Sequence, residues 1–365
     1  MPNRRPGARR WTYAQSGVDR SEIARALHRL LAATRYRAPA SHGRPLTAVG
    51  HYAGIVRVGR ETIAITTDTV GTKVLLAEQL GRFEEVGEDA VAINVNDLAA
   101  VGARAVGLVD VINCARPDPT TFAALGRGIA RGLRRARCHL LGGETAVVPE
   151  IVPGLDLGGT AIGFFPDGRR PITGARIRPG DRILGLAASG FHANGYTLLR
   201  RILDRSGVDL RRPRPGSRRP LGAELLTPTR TYCEAVEAIA DDRGTHGFAH
   251  ITGGGVRNLV RLHRSVAFVL DGWPAPRGIF AWLRDLGSIS DAELYQTFNM
   301  GIGFAAIVAP GARDRALAAV RRAGYPEARE IGHVERGRGV HLPGLDLSYE
   351  GYGATTASPM RGSNR

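Results

Sequence analysis

TTDTVGTK, residues 66–73, ends in Lys73, the only lysine among the 50 basic side chains of this 365-residue chain. Every other basic residue is arginine. A chain that has gone over so completely to arginine keeps one ammonium where a planar guanidinium fork would not serve, as where a compact point charge meets a phosphate oxygen in a tight pocket. Just before it, the apolar residues Ile63 and Ile65 alternate toward Asp68, and Gly71 permits a turn with exposed backbone N–H groups. Strand, acid, glycine turn and lysine together make a seat for a nucleotide and its metal. The plain alternative is a polar strand end with a surface lysine.

Length sets about two domains at ~150 residues each, and 43% hydrophobic residues are enough for real cores. Cys114, Cys138 and Cys233 lie far apart without CxxC spacing, so neither a disulfide framework nor a zinc site is expected, and a reducing cytoplasm is the natural setting. The basic N-terminus has no apolar stretch behind it, as a secretory signal would, and no apolar run is long enough to span a membrane. A net charge of +16 fits either a nucleic-acid partner or a funnel for anionic substrates. The arginine bias marks much of it as compositional, and RRPRPGSRRP at 211–220 has no aromatic residue to stack on bases. That stretch reads as a solvated loop, with RNA contact as the alternative.

In chain order, residues 1–12 are expected to form a disordered basic arm and 353–365 a flexible tail. Ser21 should cap a helix over 21–34, in which Ile23, Leu27, Leu30 and Leu31 recur at helical spacing. Gly59-Arg60 supplies a two-residue hairpin turn that delivers Asp68 to the far end of its second strand. The next helix, about 88–101, places Val91, Val95 and Leu98 on one face and Asp89 and Asn96 on the other, with Asp97 beside them. An ordinary wet helix face is one reading. Short acidic and amide side chains, poor helix formers, favour a ligand-facing patch that also includes Asn94. A strand over 105–113, a glycine-containing helix over 120–137, a short strand with a Gly142-Gly143 turn before Glu144, and a strand over 157–165 complete this half.

The Pro-, Gly- and Arg-rich stretch 166–181 marks the boundary between an N-terminal domain at 13–168 and a C-terminal domain at 178–345. The second half opens with a strand and the loop SGFHANG at 189–195, which runs into a helix over 196–206 and aims backbone donors at an anion. Another helix should start at ThrProThr, 227–229. HITGGGVRNLVRL at 250–262 repeats the pattern of strand, glycine loop and helix. Two such loops suggest a phosphate-bearing substrate, against the alternative of tight strand-to-helix turns.

Asp68, Asp89, Asp97 and Glu144 cannot sit bare together beside a polyphosphate. Two like charges ~4 Å apart cost about 4 kcal/mol at an effective dielectric near 20. Carboxylates converging with phosphate oxygens describe a Mg²⁺ site, and Lys73 would then offset charge on the transferred phosphoryl group.

The motifs TDTVGTK, VNDLAAVGA, GGETAVVP, LAASGFHANGYTLLR, HITGGGVRN and TFNMGIGF, with the early YAQSGVDR, resemble the aminoimidazole ribonucleotide synthetase (phosphoribosylformylglycinamidine cyclo-ligase) family, in order from 13 to 340. Several blocks are shared with selenophosphate synthetase, thiamine monophosphate kinase and the hydrogenase maturation factor. The resemblance implies an α/β (α+β) subunit of two domains: an N-terminal mixed sheet that pairs with its copy into a homodimer barrel near ATP, and a C-terminal domain with helices on a mixed sheet. It implies that ATP phosphorylates the formamide oxygen of formylglycinamidine ribonucleotide, a substrate nitrogen attacks that carbon, phosphate leaves and the imidazole ring closes. By position it assigns ATP to Asp68, Gly71, Thr72, Lys73, Asn96, Gly142, Gly143 and Glu144, and metal to Asp68, Asp89, Asp97 and Glu144. The phosphoribosyl substrate falls to Ser189, Gly190, His192, Asn194, Thr252, Gly253, Gly254 and Gly255, with Lys73, Asp97 and His192 as catalytic residues. His192 as proton shuttle stands beside the alternative of a satisfied loop histidine. The chain departs from the family pattern at Ala32, Ala33, Thr69, Val147 and Gln296, so a paralogue acting on another acceptor is the second reading. A non-catalytic RNA-binding protein is the third.

Overall fold

The computed structural model describes residues 11–34, 36–166 and 168–351. The tail at 353–365 and residues 1–10 of the arm lie outside them. Trp11, assigned to that arm, instead stacks under the Arg205 guanidinium, 5.8 Å from the ring centre. The first helix, α1 (Arg20–Ala33), is capped two residues earlier than expected: Asp19, not Ser21, accepts from the N–H groups of Ser21 and Glu22 at 2.7 and 3.3 Å. Its apolar residues Ile23, Leu27, Leu30 and Leu31 are exposed in the single chain.

A first sheet holds β1 (Arg44–Pro45), β2 (Gly54–Val58) and β3 (Glu61–Thr69), followed by α2 (Lys73–Leu80), α3 (Glu84–Ala99), β4 (Arg104–Cys114), α4 (Pro119–Ala136), β5 (His139–Val147) and β6 (Leu155–Phe164). The strand order is β1-β2-β3-β6-β4-β5, and β4 and β5 run parallel. The hairpin turn is at Gly59-Arg60, with Gly59 at φ +61°. Alternation along β3 buries Ala64 and Thr66 while leaving Ile65 and Thr67 exposed, so Asp68 sits on the face that α3 covers.

One alternative reading and one expectation fail here for packing reasons. Helix α3 has no wet face, because every residue from 86 to 99 is buried between the sheet, α4 and the second half of the chain. Gly142-Gly143 make no turn. Strand β5 continues through them, and Leu141 is an extra residue between the pairs Leu108↔Leu140 and Val109↔Gly142, a bulge that Gly142 accommodates at φ +151°.

The segment 166–181 crosses to a second sheet. It contains β7 (Arg182–Ala187), β8 (Thr245–His250), β9 (Val266–Val269), β10 (Ile302–Val308), β11 (Arg329–Arg336), β12 (Gly339–Leu342) and β13 (Leu347–Tyr349), in the order β13-β12-β9-β11-β7-β10-β8. Helices α5 (Tyr196–Ser206), α6 (Leu221–Leu225), α7 (Cys233–Ile239), α8 (Ile279–Gly287), α9 (Asp291–Thr297) and α10 (Arg313–Arg322) complete it. The last strand extends the sheet past the expected end at 345. No helix starts at 227–229; the segment between α6 and α7 is irregular and is held by side chains of α3. After His250 the glycine loop enters a 3-10 turn at Gly255–Arg261 rather than an α-helix. The arginine-rich loop 211–220 folds on itself, with Arg214 paired to Glu224 at 2.7 Å.

Helices α3 and α4 touch backbone to backbone. A Cβ on Gly128 would lie 1.9 Å from the Glu84 carbonyl oxygen, whereas one on Gly126 would meet nothing within 4 Å. Gly128→Ala should therefore destabilise the protein by about 1–3 kcal/mol, since backbone cannot yield cheaply. Gly126→Ala should stabilise it by roughly 0.5–1 kcal/mol through helix propensity. Urea midpoints of the two variants against the parent check both signs.

Candidate active site

Three glycine-bearing loops meet where the two sheets face one another. The 68–73 loop, with Gly71 at φ +65°, reaches the start of α5 through a Thr72 to Thr197 hydroxyl contact of 3.0 Å. The 189–195 loop is tied down by Ser189 Oγ donating to the Pro228 carbonyl at 2.6 Å and by Asn299 donating to the Gly190 carbonyl at 2.8 Å. Asn194 lies against Gly253, where a Cβ would be 3.3 Å from its Oδ1, and Arg20 donates to the Gly253 carbonyl at 3.0 Å. Gly255, at φ +55°, packs so tightly on the Tyr295 carbonyl that no side chain fits. The expected substrate residues Ser189, Gly190, Asn194, Thr252, Gly253 and Gly254 thus come from two adjoining loops, while Gly255 serves the packing beneath.

Beside these loops stand Asp68 and Asp97. The Thr69 N–H donates to Asp68 Oδ1 at 2.8 Å. Burial, then the negative charge of Asp97, push the Asp68 carboxyl up to about 6, against that hydrogen bond and the weaker pull of His250 and Arg261. Asp97 Oδ1 is 2.8 Å from His250 Nδ1. Two desolvated acids without a full counter-charge suit a hard cation, and Mg²⁺ takes only one or two carboxylates beside water and phosphate oxygens. Among the described residues no three His, Cys, Asp or Glu side chains converge tightly enough to hold a metal by themselves. The donor set therefore fits an ion shared with a phosphate.

The other expected ligands are placed elsewhere. Lys73 and Asp89 form an ion pair at 2.6 Å with both side chains at 0% exposure, and Lys73 Nζ also donates to the Thr227 carbonyl at 2.9 Å. Asp89 Oδ1 accepts from the Thr229 N–H at 2.7 Å and its hydroxyl at 2.5 Å. Asn96 donates to the Arg230 carbonyl and accepts from the Tyr232 N–H, both at 2.9 Å. The patch read as ligand-facing is split: Asp97 faces the cleft, while Asp89 and Asn96 hold the segment 227–232. Lys73 is correspondingly committed to Asp89.

Glu144 is turned away as well. Pairing sets Asp68, Gly159, Asp110 and Gly143 in one row across four strands, and Thr69, Gly158, Val111 and Glu144 in the next. Residues in one row share a face and successive rows alternate, so within one chain Glu144 points to the side opposite Asp68. Asp110 shares the Asp68 face, with its carboxylate over Gly143.

His192 is fully buried at φ +60° and its Nε2 accepts from the Ser189 N–H at 3.3 Å. Burial, followed by the positive charges of His250, Lys73 and Arg230, holds it well below its ordinary pKa. It braces the loop from beneath, which favours the loop-histidine reading over the proton shuttle. Sequence reasoning passed over His250 and Thr229. His250 opens HITGGG, where the sequence pattern shows only a strand running into a glycine loop.

The sequence profile of the AIR synthase related protein N-terminal domain matches residues 50–165, and that of the C-terminal domain matches 178–343. Phosphoribosylformylglycinamidine cyclo-ligase of Methanothermobacter thermautotrophicus is 42% identical over 334 residues, covering 91% of this chain and 96% of the relative. The protein of the same name from Thermococcus gammatolerans is 40% identical over 335 residues, covering 91% and 97%. Among solved structures, a chain of the HypE-HypF complex superposes with TM-score 0.61 at 18% identity, over 87% of this chain and 95% of that one. AaThiL complexed with AMPPCP and TMP gives 0.59 at 16% identity, over 88% and 92%. At such identities these structures speak for the fold.

The raised Asp68 carboxyl fixes a pH signature. Its folded value, about 6, exceeds the ordinary 3.8, so ionised Asp68 weakens the fold above pH ~6, and the penalty fades as pH falls toward 4. Asp68→Asn should therefore be more stable than the parent at pH 8 by on the order of 2 kcal/mol. That advantage should shrink below pH 6. Denaturant titrations at pH 8 and pH 4.5 without added metal check it.

Proposed function

We infer the reaction from kinship: the chain belongs to the phosphoribosylformylglycinamidine cyclo-ligase family, and it converts formylglycinamidine ribonucleotide and ATP to aminoimidazole ribonucleotide, ADP and phosphate. It is a ligase of purine biosynthesis. The observation on which the residue roles rest is the Asp68 and Asp97 pair beside three converging glycine loops. Domains of 13–168 for ATP and 178–345 for substrate accord with the two sheets, and we place the nucleotide along 68–73 with the phosphoribosyl group at Ser189, Gly190, Asn194 and 252–254.

Phosphorylation turns the formamide oxygen into a leaving group, so the amidine nitrogen can bond to that carbon as phosphate departs. The backbone N–H groups of the glycine loops orient the anionic ends, and the loops exclude water from the intermediate. Asp68 and Asp97 would hold Mg²⁺, which would offset charge on the transferred phosphoryl group. Lys73 acts at one remove, by fixing α3 and the 227–232 segment. We assign the protein to the cytoplasm, where the free thiols of Cys114, Cys138 and Cys233 would stay reduced; no helix among the described residues is long and apolar enough to cross a membrane.

A homodimer is supported by the sheet face opposite α3. Ile65, Val109, Val111 and Phe164 lie exposed there, and β5 presents an open edge with Leu140 and Leu141 at 50% and 57% exposure. A flat apolar face beside a nine-residue bare edge invites aggregation unless a second copy covers it.

Purified protein with ATP, Mg²⁺ and formylglycinamidine ribonucleotide should yield aminoimidazole ribonucleotide and one phosphate per turnover. Asp97→Asn should lower that rate by at least about 100-fold, as loss of a metal-holding carboxylate does when transition-state charge is left exposed. Turnover of ATP only with a different acceptor would instead favour the paralogue, and no ATP turnover at all would sink both. Sedimentation should give a dimer for the parent, and Val109→Asp, which places a charge on the apolar face, should shift it to monomer.

A further inference from the structure

We propose that His250 is a positioning residue, whose imidazole holds the Asp97 carboxylate in the orientation in which it shares a cation with Asp68. The proposal rests on the metal-holding reading of those two acids. His250 ends β8 in the second sheet, is fully buried, and reaches across to α3 under the first sheet. Its Nδ1 is 2.8 Å from Asp97 Oδ1, and its Nε2 is 3.5 Å from the Asn96 amide nitrogen. A carboxylate only accepts, so Nδ1 carries the hydrogen, and Nε2 faces the Asn96 amide. Two consecutive residues of α3 therefore address the two nitrogens of one ring.

The ring has little freedom to turn. His250 pairs with Phe304 in the ladder between β8 and β10, and the two rings lie 6.4 Å apart. Without the N–H, the Asp97 carboxylate would be left to the repulsion of Asp68, whose raised pKa already registers that charge. With it, Oδ1 is engaged and Oδ2 is the oxygen left for a cation. Outer partners of this sort, hydrogen-bonded to a ligating group, change affinity by about 10–100-fold when removed.

The test uses three variants of the full chain. His250→Asn sets an amide N–H near the place of Nδ1, His250→Gln sets one nearer Nε2, and His250→Ala removes both. Calorimetric titration with a non-hydrolysable ATP analogue in Mg²⁺ should show affinity about 10–100-fold weaker for the Ala and Gln variants, with His250→Asn recovering most of the loss. The KM for ATP should follow affinity, with a smaller change in kcat. Equal affinity in all four proteins would overturn the proposal, as would an Asn variant as weak as the Ala variant, which would make the loss one of packing. A readout free of turnover is the nitrogen-15 spectrum of the histidines: one Nδ1-protonated ring should lose its hydrogen-bonded signal in Asp97→Ala. Failure to see it overturns the clamp, whereas an intact clamp in a protein that never forms product would count against the cyclo-ligase reading alone.

Discussion

The buried ion pair of Lys73 and Asp89 is the constraint on which the cleft depends. Taking both charges out of water costs several kcal/mol per ion, and burial pushes the Asp89 carboxyl upward accordingly. Four interactions oppose that cost: the ammonium at 2.6 Å, the Thr229 N–H and hydroxyl on Oδ1, and the Thr227 carbonyl accepting from Nζ. The Tyr196 ring, 5.5 Å from Nζ, adds a cation–π contact from α5. Together they fasten the first turn of α2, the middle of α3 and an irregular segment of the second half. The geometry also explains the solitary lysine. An ammonium has three donors at one point, which suits a carboxylate and a carbonyl converging in a sealed space, whereas a guanidinium spreads its five over a plane too wide for it.

With α3 so fixed, its next two turns are set. Asn96 closes on the backbone of Arg230 and Tyr232, and the following residue, Asp97, is rotated about 100° around the helix into the opening beside Asp68. Neighbouring side chains on one helix therefore do different work. One set joins the halves and the other faces the cleft, and the split follows from helix geometry once the partner segment is in place.

Local patterns carried most of the architecture. The β2–β3 hairpin, the bounds of α5 and the strand into Asp68 followed from alternation, Gly59-Arg60 and the SGFHANG stop, because each is decided by neighbours within a few residues. What could not be read was decided at a distance. The polar face of α3 reads as one ligand-facing patch because Thr229, 140 positions away from Asp89, is invisible to helical periodicity. The face on which Glu144 emerges turned on one inserted residue, Leu141, and a single bulge reverses every side chain after it. His192 looked available because its loop is glycine-rich, yet the left-handed backbone at that position folds the ring under the loop. Family resemblance named loops that the structure brings together, without saying which of their side chains point inward.

Charge distribution separates the reserved acids from the rest. In a chain with net charge +16, carboxylates are readily taken up by arginine: Glu84 by Arg127 and Arg131, Glu237 by Arg104 and Arg169, Asp242 by Arg315, Glu330 by Arg313. Among the described residues neither Asp68 nor Asp97 forms an ion pair with arginine, and Asp97 has the imidazole of His250 instead. A guanidinium at that position would satisfy both oxygens of a carboxylate in a bidentate bond and leave none for an incoming cation. Excluding arginine keeps the Asp68 carboxyl raised, a cost of order 1.4 kcal/mol per pKa unit that, under the proposed function, a divalent ion and its phosphates would relieve. Under the same reading the excess of positive charge would draw the anionic substrates in, and a metal-bound phosphate would neutralise the pair of acids.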